Sequence, residues 1–487
     1  MKGLPAIPGA REALGTAQTR RAPEGGHIDR SRLMFFEFDG RHYAGHAGDT
    51  LASALLANGI RVFGRSFKYH RPRGVLGAYG EEPNALVTVG SGARHEPNLR
   101  ATQVELYDGL VATSQHRWPS LEFDIGSLND RIARVLPAGF YYKTFMWPGS
   151  WWMRYEHVIR RAAGLGHAPQ QADPDRYVRR HAHCDVLVVG GGPAGLVAAA
   201  RAAAAGARVM LVDERSELGG SLWDEPLQLD GTEGHLWARA QAEALRAEGV
   251  RVLTRACAFG YYDHNLVAIV ERLTDHLAPA TSPRPRQRLW WVRAAQVVLA
   301  TGAIERPLVF SGNDCPGVML ASAARTYAHR YAVRSGQHAV LFTNNDEAYD
   351  TLAALRRAGT SVSMVVDARP GGPGSAAREA VEEAGCELAA GFAVTRTYGR
   401  KSLRAVQLMA FDNGRLSGAP RRLECDLLCL SGGFNPTVHL YSQSRGAIRY
   451  DQQLAAFVPG ESRQAVQAVG ACNGTAAMAE LLAEAAN

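Results

Sequence analysis

A glycine-rich segment that begins at Cys184 has the residue types and the spacing that bind the phosphates of a dinucleotide. It reads CDVLVVGGGPAGLVAAARAAAAGARVMLVDE, an apolar run followed by Gly190, Gly192 and Gly195 and by an alanine-rich helical stretch. Gly190 permits a tight turn, Gly192 lets the backbone approach a pyrophosphate, and Gly195 lets the helix lie against the strand. The N-terminus of that helix would add N–H donors and a partial positive charge. The segment therefore predicts a site for an adenine dinucleotide.

An acidic residue about 20 positions further on completes the pattern. Asp213 follows the second apolar run, VMLV, and is expected to bind the adenosine ribose hydroxyls, with Glu214 as the alternative if the register differs by one. Whether the dinucleotide is NAD or FAD stays open at this point. The predicted binding residues are Gly190, Gly191, Gly192, Pro193, Ala194, Gly195, Asp213, Glu214, Gly220, Ser221, Ala258, Ala300, Thr301, Gly302 and Gly470.

Two later motifs bear on the identity of the nucleotide. AAQVVLATGAIERP predicts a strand ending at residues 300–302, as in glutathione-reductase-like flavoproteins, where the chain turns back beside the dinucleotide. The terminal motif AVGACNG has Ala471 where such flavoproteins usually carry an aspartate that helps to hold the flavin half of FAD. This favours NAD, or the adenine half of a nucleotide, over a working flavin. No cysteine pair follows Gly219 and Gly220, which excludes disulfide reductase chemistry.

A second segment repeats the plan of strand, turn, helix and strand. It reads GQHAVLFTNNDEAYDTLAALRRAGTSVSMVVD and ends at Asp367. Thr343, Asn345 and Ala348 stand where the glycines belong, so a side chain replaces bare backbone at the phosphate position. Asp346 places a negative charge at the helix N-terminus, where it would oppose an anion. The segment predicts a nicotinamide-type subdomain that is closed to NAD(P)H.

The elements before residue 110 follow the order of a plant-type ferredoxin. LMFFEF and RHYAGHAG predict a hairpin with its turn at Asp39 and Gly40. GDTLASALLANG predicts a short helix capped by Asp49 or Thr50, and ALVTVGSG and QVELYDGL predict further strands. An unrelated small domain with the same order of elements is the alternative interpretation.

The loop RPRGVLGAYGEEPNALV lies where a plant-type ferredoxin binds its metal cluster. There, cysteines spaced C-x4-C-x2-C supply thiolates to a [2Fe-2S] cluster. The same spacing falls here on Gly77, Glu82 and Ala85, none of which supplies a thiolate. We therefore expect no 2Fe-2S cluster in this chain.

The expected fold class is α/β, a glutathione-reductase-like fold with two dinucleotide-binding domains, preceded by a ferredoxin-like β-grasp domain without cluster ligands. An aromatic-rich connector carries Phe140, Tyr141, Trp147, Trp151 and Trp152, which predict either a protein interface or packing against the chain's own domains. The predicted parts are a flexible arm at 1–30, the ferredoxin-like domain at 31–110, the connector at 111–180, the first Rossmann-type domain at 181–335 and 416–487, and the second subdomain at 336–415.

The composition limits the remaining function classes. The 487 residues carry a formal net charge of +7 from thinly spread arginines, so no nucleic-acid-binding stripe is predicted. The seven cysteines include no CxxC pair, which argues against a zinc ribbon or a disulfide framework. No signal peptide and no apolar run of about 18 residues is present, so we expect a cytoplasmic protein without membrane insertion. No residue is assigned a catalytic or metal-binding role.

Eight motifs along the chain give a specific resemblance. From about residue 33 to its end, the chain resembles the alpha subunit of heterotetrameric sarcosine oxidase, and related loops with cysteines occur in hydrogen cyanide synthase. The motifs are GRSFKYHRPRG, GEEPNALV, GFYYKTFMWP, YEHVIRRAAGLG, VVLATGAIERP, GNDCPGVML, FTNNDEAYD and SGGFNPTVHL. The folate-binding aminomethyltransferase domain that follows in that family lies outside this sequence, so the form is short.

The resemblance implies a shared enzyme. A beta subunit would carry FAD, at which a secondary amino acid is oxidised to an imine, and FMN would lie between alpha and beta, with small additional subunits in some assemblies. The alpha chain would bind an adenine dinucleotide structurally, and the ligand-free loop would serve assembly. Opine, proline or hydroxyproline dehydrogenase subunits are alternative matches. An NAD(P)H-dependent flavin reductase and a non-catalytic nucleotide-binding scaffold are the hypotheses of other classes.

Overall fold

A computed structural model describes residues 18–133, 139, 146–164, 166–279 and 283–487. The chain forms two compact units, the first from Met1–Pro174 and Pro307–Ser431, the second from Asp175–Arg306 and Gly432–Asn487. The sequence prediction instead grouped 307–335 and 416–431 with the first dinucleotide-binding domain. These two stretches contribute strands to the sheet of the second subdomain, because backbone pairing there is continuous with the strands around residues 338–367.

Residues 29–174 begin with a ferredoxin-like sheet in the order β2-β1-β7-β5-β6. The strands are β1 (Asp29–Phe38), β2 (Arg41–Ala47), β3 (Gly64–Arg65), β4 (Pro72–Arg73), β5 (Leu86–Val89), β6 (Glu96–Arg100) and β7 (Leu110–Ser114), and the helices are α1 (Leu51–Ala57), α2 (Leu128–Arg131) and α3 (Trp152–Ala163). The hairpin turn has positive φ at both Asp39 and Gly40. Every residue of α1 is buried, and Thr50 and Ser53 form its capping box.

The stretch before β1 is held by backbone contacts. The N–H of Ala22 donates to the carbonyl of Ala332 at 2.8 Å, and the N–H of His27 donates to the carbonyl of Arg330 at 2.6 Å. Because these hydrogen bonds join the described part of the predicted flexible arm to residues of the same unit, residues 18–28 are part of the folded unit.

Residues 175–306 build most of the second unit. Its strands are β8 (Tyr177–Val189), β9 (Val209–Val212), β10 (Gln228–Leu229), β11 (Thr232–Glu233), β12 (Arg251–Leu253), β13 (Ala256–Tyr262), β14 (Leu266–Arg272), β15 (Gln287–Leu299) and β16 (Ala303–Glu305), and its helices are α4 (Pro193–Ala204) and α5 (Gly234–Ala247). The main sheet has the order β12-β9-β8-β15-β14-β13. The strands β12, β9, β8 and β15 are parallel to one another, in keeping with the apolar runs VMLV of β9, VLVV at the end of β8 and VVL at the end of β15.

Residues 307–431 contain a second parallel sheet in the order β17-β24-β18-β19-β20. The strands are β17 (Val318–Leu320), β18 (His338–Thr343), β19 (Ser361–Asp367), β20 (Glu387–Ala390), β21 (Phe392–Gly399), β22 (Leu403–Asp412), β23 (Arg415–Glu424) and β24 (Leu427–Ser431), and the helices are α6 (Ala321–His329), α7 (Thr351–Arg357) and α8 (Ser375–Ala384). The strands β21, β22 and β23 form a separate antiparallel sheet.

The last 56 residues of the second unit, Gly432–Asn487, return to its main sheet. They contain β25 (Phe434–Pro436), β26 (Ile448–Asp451), β27 (Ala456–Pro459) and β28 (Val466–Ala468), with helices α9 (His439–Gln443) and α10 (Met478–Ala486). Strand β28 pairs in parallel with β15, which brings the segment after it to the carboxyl edge of the sheet. Ligands bind at this edge of parallel α/β sheets.

Candidate functional site

The glycine loop between β8 and α4 has the geometry of a phosphate cradle. A Cβ at Gly190 would lie 2.2 Å from the carbonyl oxygen of Ala300, and a Cβ at Gly195 would lie 1.8 Å from the carbonyl oxygen of Gly190. These two glycines are therefore required by backbone packing. A Cβ at Gly192, by contrast, would meet nothing closer than the Cα of Gly220, at 3.9 Å. The open face of Gly192 at the start of α4 fits the pyrophosphate of a dinucleotide.

Asp213 lies at the end of β9, directly behind this loop. Its Oδ2 accepts the N–H of Gly191 at 2.6 Å, and its Oδ1 accepts the N–H of Arg215 at 2.8 Å. The carboxylate is nearly buried and fixes the loop to the sheet. Its predicted contact with the ribose hydroxyls, like the alternative role of Glu214, stays a prediction.

The turn at Gly219 and Gly220 lies on the other side of the cradle, and the sequence prediction included Gly220 and Ser221 but not Gly219. The N–H of Gly219 donates to the carbonyl of Gly191 at 2.7 Å. The guanidinium of Arg215 donates to the carbonyl of Gly220 at 2.9 Å and to Asp224 Oδ2 at 3.2 Å. Arg215 was not among the predicted residues, although its position two residues after Asp213 was visible in the sequence.

The predicted residues near the end of β15 also lie beside the loop. The N–H of Ala300 donates to the carbonyl of Val189 at 2.8 Å, and the hydroxyl of Thr301 donates to the carbonyl of Thr437 at 2.9 Å. Gly302 has a positive φ and accepts the N–H of Thr437. The strand end is thus tied to the segment before α9.

Gly470 lies next to the start of α4. A Cβ at Gly470 would come within 2.9 Å of the Cβ of Ala194, and the residue has a φ of 69°. Its N–H donates to Glu484 Oε2 at 2.8 Å, and the other oxygen of Glu484 accepts the side-chain amide of Asn473 at 2.5 Å. Glu484 of α10 therefore positions the terminal loop, a role that the sequence pattern did not indicate.

The remaining predicted residues lie on flanking elements. Ser221 is exposed in a 3-10 turn, Gly220–Trp223, and Ala258 is partly buried in β13. The N–H of Ala256 donates to the carbonyl of Asp213 at 2.8 Å, which sets β13 beside the acidic residue. The structure thus brings the fingerprint loop, Asp213, the Gly219–Gly220 turn and Gly470 together in one unit.

Around Asn345 and Asp346 of the second subdomain, the protein's own side chains pair with one another, and closure of this site to NAD(P)H stays a prediction. Arg369 donates to Asp346 Oδ1 at 2.6 Å and to Asp367 Oδ2 at 2.7 Å, and Asp346 Oδ2 accepts the N–H of Gly374 at 3.1 Å. Asn345 Nδ2 donates to the hydroxyl of Ser431 at 3.0 Å. The hydrogen bonds that Arg369 donates to Asp367 raise the pKa of Arg369, and the one that it donates to Asp346 adds to the effect.

Removal of the Arg369 side chain should destabilise the fold, because it leaves the buried carboxylate of Asp367 without its ion-pair partner. We expect Arg369→Ala to lower the free energy of unfolding by about 2–3 kcal/mol, below the range for a fully buried pair because Arg369 is one third exposed. Arg421→Ala is the control, since Arg421 pairs with Glu387 at the surface and should change stability by less than about 0.5 kcal/mol. Equal effects in chemical denaturation would contradict this interpretation.

The loop that corresponds to the cluster loop of ferredoxins is organised around Glu82. Its Oε2 accepts the N–H groups of Leu76 at 2.6 Å and Gly77 at 2.7 Å, and its Oε1 accepts those of Asn84 at 2.5 Å and Ala85 at 2.9 Å. The side chain is fully buried. Burial raises the pKa of Glu82, and the four N–H donors work against that rise. One carboxylate thus satisfies both arms of the loop.

Two family models match the chain. Residues 31–117 match a 2Fe-2S iron-sulfur cluster binding domain, and residues 184–485 match pyridine nucleotide-disulphide oxidoreductase, which is more than half of the sequence. The chain belongs to the pyridine nucleotide-disulphide oxidoreductase family. The glycine loop, β9 and the terminal loop described above all lie inside the matched range.

Two curated relatives are similar to nearly the whole of this chain. Sarcosine oxidase subunit alpha from Rhizobium meliloti is 48% identical over 96% of this chain and 46% of the relative. Sarcosine oxidase subunit alpha from Corynebacterium sp. (strain U-96) is 39% identical over 95% of this chain and 43% of the relative. The chain spans about half the length of these relatives. The identities confirm the resemblance to sarcosine oxidase alpha subunits that the motifs indicated.

L-proline dehydrogenase from P. horikoshii has a similar fold. Its structure aligns with a TM-score of 0.62 at 18% identity, covering 94% of this chain and 72% of the other. At this identity the likeness concerns the fold alone. Together with the two family matches it confirms the predicted fold class, a ferredoxin-like domain followed by a two-dinucleotide-domain oxidoreductase fold.

The prediction that this chain holds no 2Fe-2S cluster was wrong, because residues 31–117 match the family of 2Fe-2S cluster binding domains. The cysteine spacing involves only residues 77, 82 and 85, whereas the family match covers residues 31–117. The side chains of the loop do not themselves fit a cysteine-ligated cluster, since position 82 presents a carboxylate and the seven cysteines lie at residue 184 and beyond. No step of the proposed reaction is therefore derived through such a cluster.

Membrane-spanning helices and metal-binding clusters are both absent from the described residues. Within the described ranges, no helix is long and apolar enough to cross a membrane. Within the same part of the chain, no three His, Cys, Asp or Glu side chains lie in an arrangement that could hold a metal ion.

Proposed function

We propose that this chain is the nucleotide-binding alpha subunit of a multi-subunit flavin-dependent enzyme that oxidises a secondary amino acid. The observation that carries the proposal is the 48% identity to a sarcosine oxidase alpha subunit over nearly the whole of this chain. The intact phosphate cradle around Gly192 supports it from the geometry. Opine, proline and hydroxyproline dehydrogenation are the alternative activities, since the relatives' substrate does not fix that of this chain.

The chain's own residues would bind and orient the nucleotide. The open face of Gly192 and the N-terminus of α4, which has no side-chain cap among the described residues, would bind the pyrophosphate. Asp213, held by Gly191 and Arg215, would bind the adenosine ribose. Gly470 and Glu484 would fix the loop beside Ala194. No side chain here is assigned to take the amine proton, which agrees with a reaction carried out on a partner.

The flavins are expected to be shared with a beta subunit. A beta subunit would hold FAD, and FMN would lie at its boundary with this chain; these groups would supply the two-electron oxidation of an amine to an imine, in which the carbon loses a hydride and the nitrogen a proton. The aromatic connector supports a partner surface, since Trp147 is 84% exposed and Met153 71% exposed. Trp151 is exposed and Trp152 half-buried, whereas Phe140 and Tyr141 lie outside the described residues.

The proposal is tested on the native complex isolated with its partners. We expect release of FAD, FMN and an adenine dinucleotide on denaturation, and oxidation of sarcosine, proline, hydroxyproline or an opine by the complex. A chain that purifies alone with reducible FAD and oxidises NADPH would overturn it. A complex with nucleotide but no flavin would replace it with the scaffold hypothesis. A cytoplasmic location stays a prediction.

Exposed connector residues should matter for assembly and not for folding. We expect Trp147→Ala to weaken association with the flavin-bearing subunit by about 1–3 kcal/mol, the range for an aromatic anchor at an interface. Its thermal midpoint should stay unchanged because the side chain is exposed. Phe457→Ala, at 52% exposure in the second unit, serves as the control. Unchanged association in pull-down titrations would exclude the connector as the interface.

A further inference from the structure

Three half-buried arginines of the first unit lie around one carboxylate. The backbone N–H of Arg334 donates to the carbonyl of Arg20 at 2.7 Å. The guanidinium of Arg61 donates to Asp426 Oδ2 at 2.5 Å and lies 3.4 Å from the carbonyl of Ser335. These contacts join four separate segments of the chain, and we call Arg20, Arg61, Arg334 and Ser335 the arginine cluster.

A glycine lies beside each of the side chains of Arg20 and Arg334. A Cβ at Gly59 would lie 3.9 Å from Arg20 Nε, and a Cβ at Gly359 would lie 3.8 Å from Arg334 Nη1. The charges also interact. Burial lowers the pKa of Arg20, the positive charges of Arg61 and Arg334 lower that pKa further, and the negative charge of Asp426 opposes the shift. The two glycines leave the ends of these side chains uncrowded.

The single carboxylate of the cluster is already saturated. Asp426 Oδ1 accepts the N–H groups of Gln337 at 2.7 Å and His338 at 2.8 Å, and Oδ2 accepts Arg61. Across the ranges that the structure describes, no carboxylate forms an ion pair with Arg20 or Arg334. Among the residues that the structure describes, two of the three positive charges therefore have no carboxylate of their own.

Four hydrogen-bonding atoms of the cluster also lack partners. In the described part of the chain, Arg20 Nη1, the Nε atoms of Arg61 and Arg334, and Ser335 Oγ are buried without a hydrogen bond. An unpaired buried donor costs about 1–3 kcal/mol, so several in one place are unfavourable without a ligand. Guanidinium groups offer forks of N–H donors that match a phosphate and pair with it strongly.

We propose that the arginine cluster binds a dianionic phosphate group, either free phosphate or a phosphomonoester. The two guanidinium charges that lack a carboxylate among the described residues match the charge of a phosphate dianion, and each of the three arginines is partly exposed to solvent. The site belongs to the first unit and is independent of the dinucleotide cradle, which lies in the second unit. It requires nothing of the proposed amine oxidation.

The test is isothermal titration of the full chain, saturated with NAD, using inorganic phosphate and glycerol phosphate at matched ionic strength. We expect binding of one phosphate group per chain, and a loss of affinity of at least tenfold in Arg20→Gln and in Arg334→Gln. Tighter binding of glycerol phosphate would assign the ester, and tighter binding of inorganic phosphate the free anion. Arg449→Gln, which alters an exposed arginine of the second unit, should leave affinity unchanged.

Two controls keep the proposal open to refutation. Arg334→Lys preserves charge and removes the fork, so an intermediate affinity is expected even if the glutamine variants fail to fold. Gly192→Ala should change dinucleotide binding and not phosphate binding. No phosphate binding by the intact chain would overturn the proposal. Phosphate affinity that is equal in all variants would also overturn it.

Discussion

Glu82→Ala is expected to lower the free energy of unfolding by about 4 kcal/mol, because it leaves two buried and two part-buried backbone N–H groups without an acceptor and an unpaired buried group costs about 1–3 kcal/mol. The effect should spread beyond the loop. The hydroxyl of Tyr327 on α6 donates to the carbonyl of Gly77 at 3.1 Å, so the loop also supports the parallel sheet of the same unit. Thermal and denaturant unfolding of the full chain measure the effect.

Glu82→Gln separates the role of the carboxylate from that of side-chain volume. Whichever way the amide turns, one pair of N–H groups, either Leu76 with Gly77 or Asn84 with Ala85, faces an NH2 donor. We expect about half of the loss seen with alanine.

A surface glutamate of the same unit provides the comparison for Glu82. Glu122→Ala should change stability by no more than about 0.5 kcal/mol, since Glu122 is exposed and its described ion pair, with Arg41, lies at the surface. A Glu82→Ala variant that melts like Glu122→Ala would show that another group organises the loop.

The second large effect concerns the glycine loop, where one substitution should reduce dinucleotide affinity without changing stability. Gly192→Ala is expected to leave stability within about 0.5 kcal/mol, since its Cβ meets open space and its backbone, with φ −69° and ψ −176°, suits any residue. The same Cβ would occupy the place of the pyrophosphate. We therefore expect at least a tenfold loss of dinucleotide affinity, which corresponds to about 1.4 kcal/mol.

Gly195→Ala should behave in the opposite way. Its Cβ would lie 1.8 Å from the carbonyl oxygen of Gly190, so the helix must move away from the strand, at a cost of about 1–3 kcal/mol or more. Binding would then fall together with stability. Titration with NAD, FAD and ATP, and mass spectrometry of the released nucleotide, distinguish the two variants.

An open glycine of the other unit is the control for both substitutions. Gly371→Ala should affect neither stability nor binding, because nothing lies within 4 Å of its Cβ. If Gly192→Ala binds the dinucleotide like the unmodified chain, the cradle is not the binding site.

The sequence was sufficient for features that depend on local backbone geometry. The turn at Gly190, the bare backbone at Gly192 and the close packing at Gly195 follow from one short motif, because Gly190 has a positive φ and Gly195 packs against Gly190 itself. The contacts of Gly190 with Ala300 and of Gly192 with Gly220 depend on the tertiary structure. The hairpin turn at Asp39 and Gly40 was predictable for the same reason. The loss of glycines at Thr343 and Asn345 likewise marked the altered second subdomain.

Tertiary structure alone decided the contacts between residues that are distant in sequence. Glu82 looked like a missing ligand, yet its carboxylate accepts hydrogen bonds from both arms of its loop. Arg369 donates a hydrogen bond to Asp346, 23 residues away. The arginine cluster joins residues 20, 61 and 334, which share no motif, because strand pairing and the folded N-terminal stretch bring them together. Such charge balance depends on three-dimensional proximity, and a pattern read along one segment carries no information about it.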